Sequence, residues 1–131
     1  MPIMKSNIKK LPEAELQVML AVWKCDAAFS ASEVLRILEK NYVLPTLMTV
    51  LSRLIKKGYL SLEKQGRNNV YRALVSEQEY RQLESRSLLQ TLFQDSVKNF
   101  VTALYDGKEL GQDEVAELKS FLDGLENKRG S

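Results

Sequence analysis

Residues Leu44 to Gly58, LPTLMTVLSRLIKKG, constrain the fold most, because they read as one short helix whose two faces need different surroundings. Leu47, Val50, Leu51 and Leu54 fall at i, i+3, i+4 and i+7, one apolar stripe at helical period. Thr46, Met48, Thr49, Ser52, Arg53 and Lys56 fall on the other side, which carries no acidic residue. Short hydroxyls leave room for a large flat partner to come close. Arg and Lys neutralise phosphates, and Arg can also fork onto a guanine edge. Pro45 suits the first helical position, where its missing N–H costs nothing, and Gly58 suits the left-handed residue just past the end. Taken alone, the segment fits two readings: a surface helix with a solvated basic face, or a helix that faces a polyanion.

The flanking segments narrow the choice. Residues 1–10 are expected to form a loose basic arm with Lys5, Lys9 and Lys10. A first helix is expected from Pro12 to Lys24, with Leu16, Met19, Leu20 and Trp23 on its core face. A short loop, Asp26 to Phe29, leads to Ser30 and Glu33, the two ends of a capping box that starts a second helix carrying Val34, Leu35, Ile37 and Leu38. Helix, helix, short turn, helix is the helix-turn-helix order. Beyond Gly58 the period changes. Tyr59 to Lys64 and Val70 to Val75 read as strands around the turn-rich Gln65–Asn69, so a hairpin follows the third helix and the unit is a winged helix. The wing and its flanks carry Lys64, Arg67, Asn68, Asn69 and Arg72, all donors suited to phosphate or minor-groove contact. A solvated polar hairpin is the plainer account of the same residues.

Charge favours the nucleic-acid reading. Residues 1–75 hold 12 Lys/Arg and 6 Asp/Glu, a net of +6, and residues 76–131 hold 7 and 11, a net of −4. A basic half joined to an acidic half implies two jobs, with the polyanion at the first. Enzyme chemistry has few ligands to work with. The chain has no His, and Cys25 is its one cysteine, read as a small apolar residue near a helix end. Imidazole bases, Cys–His nucleophiles and thiolate or imidazole zinc sites are thereby excluded, and no glycine-rich phosphate loop is present. No metal or cofactor is expected. With no apolar run of membrane-spanning length and no signal-peptide pattern, the chain reads as cytoplasmic, without a membrane partner.

Residues 76–127 read as a helical module, and residues 128–131 as a disordered tail. Ser76 and Glu79 form a second capping box ahead of a long helix with Tyr80, Leu83, Leu88, Leu89, Leu92 and Phe93. Asp95 to Tyr105 gives another helix with Val97, Phe100, Val101 and Leu104, and Gly111 opens a last one with Val115, Leu118, Phe121, Leu122 and Leu125. Three short helices make a poor core by themselves. Burial against a second copy gives a two-fold dimer, with Leu88, Leu92, Val97, Phe100, Val101, Leu104, Leu118, Phe121, Leu122 and Leu125 in its interface. A three-helix cap folded back on residues 1–75 is the alternative. The fold class expected is thus mainly α with a small β-hairpin, a winged helix-turn-helix domain at 11–75 followed by a three-helix dimerisation module.

These segments resemble the penicillinase-repressor family of winged-helix transcription factors over residues 11–125. The resemblance lies in LPEAELQVMLAVW, SASEVLRIL, TLMTVLSRLIKKGYL with Tyr71-Arg72, and SVKNFV near Phe100. It implies a homodimeric repressor on a palindromic double-stranded DNA operator, associated with antibiotic resistance. In the beta-lactam branch it also implies relief of repression through a sensor-linked protease that cleaves an Asn-Phe bond, matched here by Asn99-Phe100. The same Phe100 is, on periodicity alone, a core aromatic. Two departures stand out: no cysteine follows Cys25, which speaks against the copper-sensing branch, and Met48 stands where some relatives carry a longer cation. A winged-helix module for protein–protein or RNA contact is the rival function.

Overall fold

The structure, a computed structural model, describes residues 8–39 and 42–130, with side chains described as far as residue 127. Most of the arm expected at 1–10, residues 1–7, and the last residue of the expected tail, Ser131, lie outside the described residues. The elements are α1 (Glu13–Val22), β1 (Ala28–Phe29), α2 (Ala31–Leu38), α3 (Leu44–Lys56), β2 (Leu60–Gln65), β3 (Asn68–Ala73), α4 (Glu77–Phe93), α5 (Val97–Asp106) and α6 (Gln112–Gly130). They group into two compact units, residues 1–85 and 86–131, and the division falls inside α4.

The first unit is a winged helix-turn-helix. Its core gathers Val18, Met19 and Val22 of α1, Val34 and Leu38 of α2, and Leu47, Val50, Leu51 and Leu54 of α3, all buried. The stripe expected on α3 is therefore the one it buries. On α1 the buried face is turned from the expected one. Leu20 is exposed and Leu16 and Trp23 are only half-buried, while Glu15, Val18, Ala21 and Val22 go inside. A carboxylate within the stripe hides it from a hydrophobic count. Glu15 is accommodated because Lys57, the C-cap residue of α3, closes an ion pair on it.

Local signals set the boundaries. Ser30 and Glu33 form the capping box that opens α2: Glu33 N–H donates to Ser30 Oγ at 3.3 Å, and Ser30 N–H donates to Glu33 Oε1 at 3.1 Å. Helix α3 starts one residue earlier than expected, with Val43 as N-cap and Pro45 in its first turn, where N–H groups have no helical partner anyway. It ends at Gly58 with φ +83. There Gly58 N–H donates to Ile55 O at 3.1 Å and Tyr59 N–H to Leu54 O at 2.9 Å, the paired bonds of a Schellman end.

Strands β2 and β3 pair antiparallel from Leu60↔Ala73 to Gln65↔Asn68, leaving a two-residue turn whose first member, Gly66, has φ +66. The two-residue β1, expected to be loop, adds Ala28↔Arg72 and Phe29↔Tyr71, giving sheet order β1-β3-β2. Leu60 is buried, but Leu62 is exposed because the hairpin runs out past the core.

The first turns of α4 also belong to the first unit. Tyr80 is buried, accepts from Leu11 N–H at 2.9 Å and donates to Glu84 Oε2 at 2.7 Å. Trp23 Nε1–H donates to Val75 O at 2.9 Å, and its ring lies 5.8 Å from that of Tyr80. A boundary drawn after Val75 would leave Tyr80 and Leu83 outside the unit in which they pack.

The second unit holds the end of α4, then α5 and α6. Ser96 caps α5, its Oγ accepting from Asn99 N–H at 3.0 Å. Phe93 and Phe100 meet edge to face at 5.4 Å. Phe100, Val101, Leu104 and Leu118 are half-buried, whereas Leu88, Leu92, Val97, Val115, Phe121, Leu122 and Leu125 are exposed. Among the described residues none on α5 is fully buried.

Candidate nucleic-acid interface

Helix α3 is held by its buried stripe, and this turns the opposite side outward. Thr46, Met48, Thr49, Ser52, Arg53 and Lys56 are all exposed there, and no carboxylate lies on the helix. Thr49 Oγ1 donates back to Pro45 O at 3.2 Å, so its proton is engaged and its lone pairs face outward as acceptors. Arg53 and Lys56 fall in the last turn, where they also suit the negative end of the helix dipole.

The wing is brought beside this helix. Arg67, Asn68 and Asn69 of the wing and Met48 of α3 line one open groove of about 490 Å³, together with Ser30, Ser32 and Glu33 at the start of α2. Leu44 and Gln65, not singled out in the sequence, line it too. Leu44 sits four residues before Met48 and off the buried stripe, a spacing that could have flagged it. The Glu33 carboxylate in that groove is held by the Ser30 N–H and hydroxyl. Tyr71 floors the groove from β3, its ring stacked on Phe29 at 5.8 Å, and burial pushes its phenol above the usual range.

The remaining cations differ in placement. Lys64 and Arg72 are exposed but do not line the groove, and Arg72 Nε stands 3.8 Å from Glu63 Oε1 across the hairpin. Both partners of that pair are well exposed, so it constrains Arg72 weakly. Cys25 lies away from this face, half-buried and within 3.6 Å of Ala21 O. Its thiol is pushed up by burial and then by Glu33 and Asp26, which keeps it protonated and unreactive.

A hydroxyl-and-cation face on the third helix, backed by a two-residue-turn wing, defines the chain as a winged helix-turn-helix protein. A family model described as penicillinase repressor matches residues 11–124. The chain belongs to the penicillinase-repressor family, whose members are DNA-binding transcriptional repressors and not enzymes. The penicillinase repressor of Bacillus licheniformis is 32% identical over 127 residues, covering 93% of this chain and 98% of that protein. Methicillin resistance regulatory protein MecI of Staphylococcus aureus (strain N315) is 25% identical over 120 residues, covering 91% and 98%. The solution structure of the Bacillus licheniformis BlaI monomeric form in complex with the blaP half-operator is 39% identical, covering 56% of this chain and 90% of that chain, with a TM-score of 0.47. Among the described residues no helix is long and apolar enough to cross a membrane.

Proposed function

We propose that two copies of this chain bind a palindromic double-stranded DNA operator and repress transcription from it. Helix α3 of each copy enters the major groove of one half-site. Thr46, Met48, Thr49 and Ser52 face base edges, while Arg53, Lys56, Lys64, Arg67 and Arg72 lie on phosphates, with Asn68 and Asn69 at the groove edge. The observation that carries this reading is the outer face of α3: exposed hydroxyls and cations with no carboxylate among them. Residues 86–131 supply the second copy's docking surface. Leu92, Val97, Phe121 and Leu122 are each exposed there, apolar side chains that a lone chain leaves in water.

The regulated process, on the pattern of relatives named for penicillinase and methicillin resistance, is antibiotic resistance. Derepression follows cleavage of Asn99-Phe100 by a sensor-linked protease. That bond lies in the first turn of α5, where Phe100 N–H reaches Ser96 O at 3.2 Å, and end turns open more readily than helix middles.

The test is an electrophoretic shift on the promoter upstream of the chain's own coding sequence, run across a salt series. Several neutralised phosphates should cost roughly a thousandfold in affinity between about 50 and 200 mM salt. Affinity indifferent to salt would mean a protein-binding winged helix instead.

A further inference from the structure

Leu44 and Met48 are one helical turn apart on α3, off its buried stripe, and are 47% and 38% exposed. Val43, the N-cap residue ahead of them, is 63% exposed. Every other exposed residue from Pro45 to Lys56 is a proline, a hydroxyl or a cation, so this apolar strip interrupts an otherwise polar face. It is placed at the amino-terminal end of the helix, the end that reaches base edges when a recognition helix docks.

Leu44 and Met48 also line the groove whose far wall carries Arg67 and Asn68 of the wing. The Arg67 guanidinium and the Glu33 carboxylate both line this groove, so its charge is balanced, and the apolar spot is what an edge of the major groove would meet there. Among base-pair edges in the major groove, one apolar group projects: the C5-methyl of thymine. An aliphatic side chain gains by covering that methyl and gains nothing from the amino, keto or ring-nitrogen groups of the other bases. Leu44 supplies a branched end with few rotamers, and the unbranched Met48 can adapt its thioether to a second methyl nearby.

We infer that Leu44 and Met48 are specificity-determining residues that read thymine methyl groups in the half-site. The inference rests on the proposal that α3 enters the major groove, and names what this end of the helix selects there. Thr49, next to Met48, and Ser52, one turn beyond it, hydrogen-bond to the neighbouring bases. Half-sites preferred by this chain should therefore hold thymine where Leu44 and Met48 dock, and loss of that methyl should weaken binding with every hydrogen bond intact.

The experiment starts from duplexes that the full-length chain enriches from a randomised library. Each thymine of the enriched site is then replaced in turn by deoxyuridine, which removes one methyl and alters no hydrogen-bonding group. Binding should fall about three- to fivefold at the methyls covered by the strip. In Leu44→Ala and Met48→Ala the wild-type loss should shrink towards none, because the contact is already absent; circular dichroism of each variant confirms an unchanged fold. Uracil bound as tightly as thymine at every position would overturn the inference while leaving the groove docking of α3 in place. A uracil penalty undiminished in both variants would do the same. Enrichment of 5-methylcytosine over thymine, from a library offering both, would overturn the assignment to thymine. Failure to enrich any duplex would overturn the docking itself, and this inference with it.

Discussion

Arg53 and Thr49 are one turn apart on the same exposed face yet are suited to different tasks. Arg53 is a long cation in the last turn, so Arg53→Ala should weaken binding to all duplexes about equally and lower the salt slope by about one. Thr49 directs acceptor lone pairs outward because its proton is spent on Pro45 O, so Thr49→Ala should change which operator variants are tolerated. Competition shifts against single-base operator variants separate the two. An Arg53→Ala chain with unchanged affinity for every duplex would refute the docking orientation. Tyr80 offers a test independent of DNA. Burial, then its bond to the Glu84 carboxylate, raises its phenol to about 12, against the opposing Leu11 N–H. A group raised above its unfolded value near 10 stabilises fully below that pH, and the contribution drains away as pH climbs through the folded value. Burial raises Tyr59 as well. The unfolding free energy read from urea curves should therefore drop between about pH 10 and 12, by about 2 kcal/mol for Tyr80 alone, and the drop should be smaller in Tyr80→Phe. Equal drops in both chains would count against this account. At this scale, sequence reading located the outer residues of α3, which sit opposite a clean apolar stripe. It missed Glu15, since a buried carboxylate looks like a solvent-facing one until Lys57 is known to lie 42 positions away beside it.

The elements are linked by a few contacts that no local pattern announces. The Glu15–Lys57 ion pair ties α1 to the end of α3, with the Glu15 side chain 7% exposed and that of Lys57 39% exposed. Lys57→Met strands the carboxylate and should cost about 1–3 kcal/mol, reduced from the fully buried case by the exposure of Lys57. Adding Glu15→Met should return much of that loss, because two apolar side chains can replace a pair that one cannot. Denaturant curves of the two singles and the double decide it; a double mutant as unstable as the sum of the singles would show that the ion pair is not the cause. The end of α5 is simpler. Its C-cap is Gly107, whose φ is −78, and Lys108 takes the left-handed position with φ +63. Lys108 N–H donates to Tyr105 O and Glu109 N–H to Leu104 O, the same paired ending that Gly58 gives α3. Lys108→Gly should therefore stabilise the second unit by about 1 kcal/mol, read as a higher unfolding midpoint. Capping boxes at Ser30 and Ser76 were legible because their partners stand three residues on. The two-residue β1 was not, because its strand character comes wholly from pairing with β3, more than forty positions later.

The molecule divides its work between two units, and the charge split along the chain, +6 then −4, already points that way. The place of the division was not legible, because α4 is one continuous helix. Its early residues Tyr80 and Leu83 pack on the winged helix, while Leu88 and Leu92 are exposed in the second unit. A chain ending at Ser85 keeps Tyr80 with its Leu11 and Glu84 bonds and should fold as a stable monomer; one ending at Val75 loses them and should be markedly less stable. The 1–85 fragment keeps the whole outer face of α3 and the wing, so it should contact a half-site as the full chain does. It should nevertheless bind the complete operator more weakly by roughly two to four decades, because a tethered second copy raises the effective concentration of the second contact. Cleavage at Asn99-Phe100 would produce the same loss, since it parts α5 from its own first turn and removes Leu104, Phe121 and Leu122 from the fragment that holds the DNA-binding face. Sedimentation and operator titration of the full chain, of 1–85 and of a 1–99 fragment test both at once. The full chain should be dimeric and tight, and the two fragments monomeric and equally weak. A full chain that is monomeric at operator-binding concentrations would sink the bivalent scheme, and a 1–99 fragment that stays dimeric and tight would remove cleavage at this bond as a means of releasing the operator.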